Sequence, residues 1–516
     1  MPGLGVFAAD SGEFHFTILH TNDIHAHDEP FWERGKEVGG VARIATLIQQ
    51  FRKEIPNIAI VDAGDIFQGT SFFKFYHGEV EVEMLNRAGY DIYTIGNHEF
   101  DDGPDNLAKQ LKKAKFDVIN SNIDATANPA LASVFKPSVI RTIGGQRVGF
   151  IGAITPSLTE VSLTTKGVGV KNSGPDWMKP INDEISKLKS QGIDKIVLVT
   201  HTGLELDREL AKNPDVDVII GGHSHTRLDK AVIVPHENGT NAIVVQTGSY
   251  GRALGKLDLA FDEKGNLDVA NTHYRLINVD RTTPAEPTLA AYLKEKSKPF
   301  EALRNQVDGI ADGDFDNYFR SYPGDSALGD LITDALAEGA KAQGATISME
   351  NRGGIRGRIE RGLVTEEKVQ EVLPFENKLV IATVSGATLL KALENSVSGA
   401  LGARFLDVHG MKFGYNADHP TGERILWAYA ADTNGKWGKI VPDKKYRIAI
   451  NDYSFGGGEG YDFSKATDVV RTDKQLSYFL TQYLLKSKHV HPRTYGRIVP
   501  YGEVTQKRNR AAHSHH

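Results

Sequence analysis

The chain has 516 residues, 40% of them hydrophobic, and a formal net charge of -6. That length admits two or three domains with a sizeable core, the charge leaves no footprint for nucleic acid, and the absence of cysteine excludes disulfides, thiolate metal sites and cysteine nucleophiles. No apolar run approaches the roughly 20 residues needed to span a bilayer.

Met1 to Ser11 are too short, and lack the basic start, for a signal peptide; Phe7-Ala8-Ala9-Asp10 reads as the scar of a cleaved one. Strands and helices then alternate to about residue 275, an α/β pattern. The spacing of Val41, Ile44, Ile48 and Phe51 predicts an amphipathic helix over Gly39 to Glu54, ended by Ile55-Pro56. Similar αβ units run through Val80 to Ala88, Asn106 to Ala114 and Trp177 to Ser190, and two strands are expected around Gly248. Composition changes at Asp280, and the Lys- and Glu-rich stretch Thr288 to Gln306 reads as a helical connector rather than a core element. A second domain opens with a helix over Asp325 to Gln343, whose Asp-Ser start offers N-caps and whose Leu328, Leu331, Ile332 and Leu336 share one face. The tail Arg508 to His516 reads as an appended segment, so its histidines are left out of any ligand set.

Apolar runs stop repeatedly at polar residues of one chemical kind. Leu-His-Thr-Asn-Asp-Ile-His gives Asp23 and His25; Val-Asp-Ala-Gly-Asp gives Asp65; Thr-Ile-Gly-Asn-His-Glu-Phe-Asp gives Asn97, His98 and Asp101. Val-Thr-His-Thr-Gly gives His201, and Ile-Ile-Gly-Gly-His-Ser-His gives His223 and His225. Strand ends of an open α/β sheet converge on one crevice. Imidazoles, carboxylates and an amide oxygen without thiolate suit two divalent ions such as Zn, Mn, Co or Mg. Asp65 lies between the two groups of ligands in sequence and is the expected bridge. Two ions about 3.5–4 Å apart activate water and clamp phosphoryl oxygens, so no side-chain nucleophile is needed.

The second half carries weaker signals. Asn351-Arg-Gly-Gly-Ile-Arg356 sets two glycines beside guanidiniums, allowing an anion close approach. Phe375, in Val-Leu-Pro-Phe-Glu-Asn, and Tyr453, in a glycine-rich loop, are candidate aromatic platforms, each more often a core residue when taken alone.

The segment from Asp23 to His225 resembles the calcineurin-like metallophosphoesterases. With the later motifs, nearly the whole chain resembles the two-domain 5′-nucleotidases, which include periplasmic UDP-sugar hydrolases and animal ecto-enzymes. The resemblance implies a four-layer metallophosphatase β-sandwich flanked by helices over 12–278. It implies a helical linker and hinge over 279–323, with bending expected in Asp308 to Asp325, a second α/β domain binding the substrate over 324–504, and a tail over 505–516. It assigns Asp23, His25, Asp65 and His225 to one metal and Asp65, Asn97, His201 and His223 to the other, with His225 where some members carry glutamine. It makes His98 a transition-state stabiliser and Asp101 the carboxylate that keeps it protonated. Asn351 then contacts the base, Arg356 the phosphate side, Phe375 and Tyr453 stack the base, Glu459 takes the place of an aspartate on the ribose, and Arg320 stands for an upstream arginine. Arg352 competes with Arg356, and Phe455 with Tyr453.

The implied activity is release of phosphate from nucleoside 5′-monophosphates, with UDP-sugar or di- and triphosphate hydrolysis as neighbours. A 2′,3′-cyclic phosphodiesterase with 3′-nucleotidase activity is disfavoured by Asp101, and a thiosulfate-ester hydrolase leaves the aromatic pair without purpose. A non-catalytic nucleotide- or metal-binding surface protein is the alternative of another class. The expected location is periplasmic or extracellular, and the oligomeric state is open.

Overall fold

A computed structural model describes residues 13–316, 323–399 and 402–503. The chain divides into two compact units and passes from the first to the second between Lys298 and Pro299.

The first unit is a sandwich of two six-stranded sheets with helices outside them, giving four layers. In one sheet Phe14–Thr21, Ile58–Asp62, Ile92–Thr94 and Asp117–Ile119 run parallel, and Ala253–Phe261 and His273–Asn278 continue it antiparallel. In the other, Gln146–Ile154, Lys195–His201, Val218–Gly221 and Asn241–Val245 are parallel, edged by Ser138–Ile143 and Val232–Pro235. Parallel strands covered on both faces read as unbroken apolar runs rather than alternations, which is why Ile196 to Val199 carry no polar residue. Phe16, Ile18, Val61, Val197, Val199 and Ile220 interleave between the sheets. Ile151, Ile196, Leu198 and Ile219 share a second cluster with Ile181, Ile185 and Leu188 of helix Lys179–Ser190.

The expected connector is different in the structure. Helix Pro287–Ser297 belongs to the first unit and packs on helices Val41–Glu54 and Glu79–Ala88. Leu289, Leu293 and Ser297 recur every fourth residue and are buried, a stripe masked in the sequence by the intervening Lys and Glu. Charged heads lie over aromatic rings here: the Lys296 ammonium is 4.7 Å from the Tyr76 ring centroid, and the Arg87 guanidinium, from helix Glu79–Ala88, is 4.3 Å from that of Tyr292.

The second unit holds a mixed five-stranded sheet in the order Leu406–His409, Ile347–Asn351, Lys445–Asn451, Lys378–Ser385, Thr467–Gln475. A four-stranded sheet runs Trp437–Lys439, Ile425–Ala431, Met411–Asn416, Ile498–Tyr501. The opening helix is Ala327–Ala340, and the Ser326 hydroxyl caps it by accepting from the Gly329 N–H at 2.9 Å. Of the stretch expected to bend, Val307–Ala311 is a strand held between Gly362–Thr365 and His489–Val490. Residues 317–322, and Arg320 with them, lie outside the described residues. Among the described residues no helix is long and apolar enough to cross a membrane.

Candidate metal centre

Every ligand-type residue named from the sequence in the first unit sits at or just beyond the C-terminal end of a parallel strand. Phe14–Thr21 leads to Asp23 and His25, Ile58–Asp62 to Asp65, and Ile92–Thr94 to Asn97 and His98. Lys195–His201 ends on His201, and Val218–Gly221 leads to His223 and His225. The turns that follow are sharp. Asp23 (φ 51°), His25 (51°), Asp65 (57°), His223 (71°) and His225 (53°) all occupy the left-handed region that side chains other than glycine avoid. Such strain persists only where neighbours over-determine it. Here the Asp23, His25 and Ala26 amides donate to the carbonyls of Gly64, Asp65 and Ile66 at 2.8, 2.9 and 2.8 Å, lacing the two ligand loops together.

The side chains form two groups that share Asp65: Asp23, His25, Asp65 and His225 in one, Asp65, His201 and His223 in the other, each with ligand atoms within 4.8 Å of one another. His25 Nε2 lies 3.7 Å from Asp65 Oδ2 and 3.0 Å from His225 Nε2, and His225 Nε2 lies 3.1 Å from Asp23 Oδ1. Asn97 joins the second group, its Oδ1 2.8 Å from His223 Nδ1.

Two further observations fit the group to cations. His201 Nε2 is buried 2.9 Å from Asp65 Oδ2 and has no aligned hydrogen-bond partner among the described residues. The remote ring nitrogens are occupied: His201 Nδ1 donates to the Ala63 carbonyl at 2.7 Å and His25 Nδ1 to those of Phe67 and Gln68, both at 3.2 Å, leaving each Nε2 turned inward. Close approach of the loops also needs glycine, since a Cβ at Gly96 would lie 2.2 Å from Asp65 Oδ1.

The electrostatics are those of a cation site. Burial opposes ionisation of Asp65, yet the imidazoles of His201, His98 and His25 hold its carboxyl well below the usual range. Burial likewise works against a charged His201, but Asp65 and Asp23 raise its pKa to about 10. A bound ion takes the place of such protons.

His98 stands beside this group, its ring centroid 5.1 Å from that of His25. Its Nδ1 donates to Asp101 Oδ2 at 2.9 Å, and the Gln68 amide donates to the same oxygen at 3.0 Å. The imidazole is thereby fixed with Nε2 facing away from Asp101. The His98 backbone N–H also donates to Asp65 Oδ1 at 2.9 Å.

Some residues of the centre were not singled out from sequence. Glu99 is fully buried and accepts from the amides of Asp65, Ile66, Phe67 and Gly96 at 3.0, 2.9, 3.1 and 2.5 Å, pinning the Asp65 loop to the Asn97 loop. Burial and the Asp65 charge push its pKa up to about 7. Asn22 donates to Asp23 Oδ2 at 2.6 Å and accepts from the Thr247 amide at 2.9 Å. The signal for both was adjacency to a ligand inside its motif.

In the second unit, Asn351 is buried: its amide nitrogen donates to the Ala403 carbonyl at 3.2 Å, and its oxygen accepts from Asn451 and Ser454 at 2.9 and 3.1 Å. Arg352 is taken up by the fold. It is 2% exposed, binds Asp407 through two 3.0 Å contacts, donates to the Gly324 carbonyl and lies 4.4 Å over the Phe405 ring. Of the two guanidiniums, the half-buried one is therefore Arg356, 5.8 Å from the Phe375 ring centroid. Tyr453 is half-buried and rests on Gly458, where a Cβ would meet its ring at 2.5 Å. Phe455, the competing ring, is stacked on Phe463 at 5.8 Å and packs on the core. Glu459 is at φ 56° and 3.9 Å from Arg404.

Parallel-sheet sandwich and clustered His, Asp and Asn ligands define the class as a metallophosphoesterase. Residues 16–227 match the calcineurin-like phosphoesterase family and residues 308–466 the 5′-nucleotidase C-terminal domain. The 5′-nucleotidase of Bos taurus is 31% identical over 93% of this chain and 90% of its own length. The trifunctional nucleotide phosphoesterase protein YfkN of Bacillus subtilis is 31% identical over 94% of this chain, which spans only 35% of that longer protein. Among solved structures, a 5′-nucleotidase precursor from Thermus thermophilus superposes with a TM-score of 0.90 at 33% identity, covering 95% of this chain and 100% of that one. The chain belongs to the two-domain 5′-nucleotidase family.

Proposed function

We propose that the protein is a dimetal phosphohydrolase that releases phosphate from nucleoside 5′-monophosphates. The observation that carries this reading is the pair of ligand groups sharing Asp65. Two divalent ions, Zn, Mn, Co or Mg, supply Lewis acidity and activate water when bound. Asp23, His25, Asp65 and His225 would hold one, and Asp65, Asn97, His201 and His223 the other. Glu99 and the Ala63 and Phe67 carbonyls keep these donors aimed. His98, oriented through Nδ1 by Asp101, turns Nε2 to donate to a phosphoryl oxygen as charge builds on it.

In the second unit Phe375 and Tyr453 present half-buried rings to a base and Arg356 a cation to the phosphate side, while Asn351 remains the candidate for a base contact and also holds the Tyr453 turn through Asn451 and Ser454. Glu459 remains the candidate for ribose hydroxyls, and Arg320 for an anion contact. UDP-sugar and nucleoside di- or triphosphate hydrolysis belong to the same reading, as does a periplasmic or extracellular location by family resemblance.

The test is phosphate release from a panel of nucleotides by metal-stripped enzyme reloaded with Mn or Zn. No release from any 5′-nucleotide with either ion overturns the proposal and leaves a binding protein. Two variants separate ligand from chemistry. Asp65→Ala is expected to lose both ions by elemental analysis, whereas His98→Asn keeps them and loses roughly 10²–10⁴-fold in kcat. A His98→Asn enzyme with near-normal kcat removes that role.

A further inference from the structure

Tyr250 follows Gly-Ser in the loop after Asn241–Val245 and belongs to neither ligand group. Its backbone is left-handed (φ 63°), an outlier for an aromatic residue, and its N–H donates to the Asp23 carbonyl at 2.7 Å. That geometry sets the ring edge-on to two histidines at once, with centroids 5.8 Å from His25 at 67° and 5.8 Å from His225 at 77°.

The ring is itself clamped. His27 stacks on it at 4.1 Å and 18°, and the Arg252 guanidinium lies 4.5 Å from its centroid. His27 and Arg252 therefore both bear directly on the ring. The clamp is fastened at both ends. His27 Nδ1 donates to the His25 carbonyl at 2.8 Å, and Arg252 makes a two-pronged pair with Glu33 at 2.8 Å for each contact. Glu33 stands on the small hairpin formed by Phe31–Glu33 and Lys36–Val38.

We propose that Tyr250 is a positioning residue for one ion only, the one assigned to Asp23, His25, Asp65 and His225. The clamped ring fills the space beside both imidazoles, so their Nε2 atoms stay converged at 3.0 Å. In the other group, His201 and His223 support each other edge-on, with centroids 5.2 Å apart at 69°. Removing the Tyr250 ring therefore loosens one ion and spares its neighbour. The contacts to both imidazoles are made by the ring itself. This inference rests on the two-ion reading above.

The experiment is a Mn titration of the metal-stripped full chain, with free Mn counted by its electron paramagnetic resonance signal. Wild type is expected to bind two ions, and Tyr250→Phe, which keeps the ring, to stay closer to it than the ring-less variant. Tyr250→Asn removes the ring while placing at φ 63° a residue that tolerates the left-handed region. It is expected to keep one ion and bind the other roughly 10–100-fold more weakly, the usual effect of losing an outer support of a metal ligand. Arg252→Gln, which leaves the ring but opens the clamp, is expected to weaken the same ion less, and it carries the test if Tyr250→Asn does not fold. Affinities unchanged in the ring-less and clamp variants, or weakened equally for both ions, overturn the proposal. Wild type binding fewer than two ions instead overturns the two-ion reading itself.

Discussion

Glu350 shows how one buried atom can report on a site. Its carboxyl is fully buried; Oε2 accepts from the Asn451 amide at 2.8 Å, while Oε1 has no partner among the described residues and lies where a Cβ on Gly354 would come within 2.3 Å. Burial pushes its pKa up to about 8 from 4.5, against the pull of the Asn451 bond. A carboxyl raised in the folded state favours folding fully below pH 4.5, where the unfolded chain is protonated too. That contribution is lost as pH rises through 8, by the order of a few kcal/mol. Glu350→Gln has no such proton to lose. Its urea midpoint relative to wild type is expected to rise steadily between pH 5 and 8 and to level off above that; a constant difference across the window contradicts the buried protonated carboxyl. Nothing in the local pattern marks Glu350, because its burial comes from strands far apart in the chain. Arg352 and Arg356 were indistinguishable by spacing for the same reason, since the partner that buries Arg352 is Asp407, on Leu406–His409.

At the scale of elements, the gathering of Asp23, Asp65, Asn97, His201 and His223 was legible because each closes an apolar strand, and parallel strands bring such ends to one edge. Glu99 and Asn22 offered only their adjacency to a ligand, and Tyr250 offered nothing, since their roles lie in contacts across loops rather than in periodicity. Helix Pro287–Ser297 misled for a third reason: lysines between Leu289 and Ser297 hid a stripe that buries both leucines. Its packing makes a prediction. A fragment ending at residue 298 is expected to melt cooperatively, whereas one ending at 278 bares the surface covered by Leu289 and Leu293 and is expected to melt several degrees lower and to bind a hydrophobic dye. Loss of two such side chains is worth roughly 3–6 kcal/mol. Equal melting of the two fragments would show the helix to be a mere connector.

For the whole molecule, the proposed chemistry and the proposed recognition fall in different units, so substrates of different size separate them. Phe375→Ala and Tyr453→Ala are expected to raise KM for AMP, each stacked ring being worth roughly 1–3 kcal/mol. Hydrolysis of phenyl phosphate, which carries no base, is expected to change less than about twofold. Equal losses on both substrates would make these rings structural and would move recognition elsewhere.

The left-handed ligand residues have a kinetic consequence. Hydrogen bonds between the loops hold the turns at Asp23, His25 and Asp65, so the receptor is expected to be complete before an ion arrives. Uptake is then an encounter followed by dehydration, with no ordering of the chain to wait for. Mg, which gives up water reluctantly, is expected to load more slowly than Mn at equal concentration in stopped-flow experiments, with no change in circular dichroism on either timescale. Identical loading rates accompanied by a folding signal would mean that the turns form only around the ions.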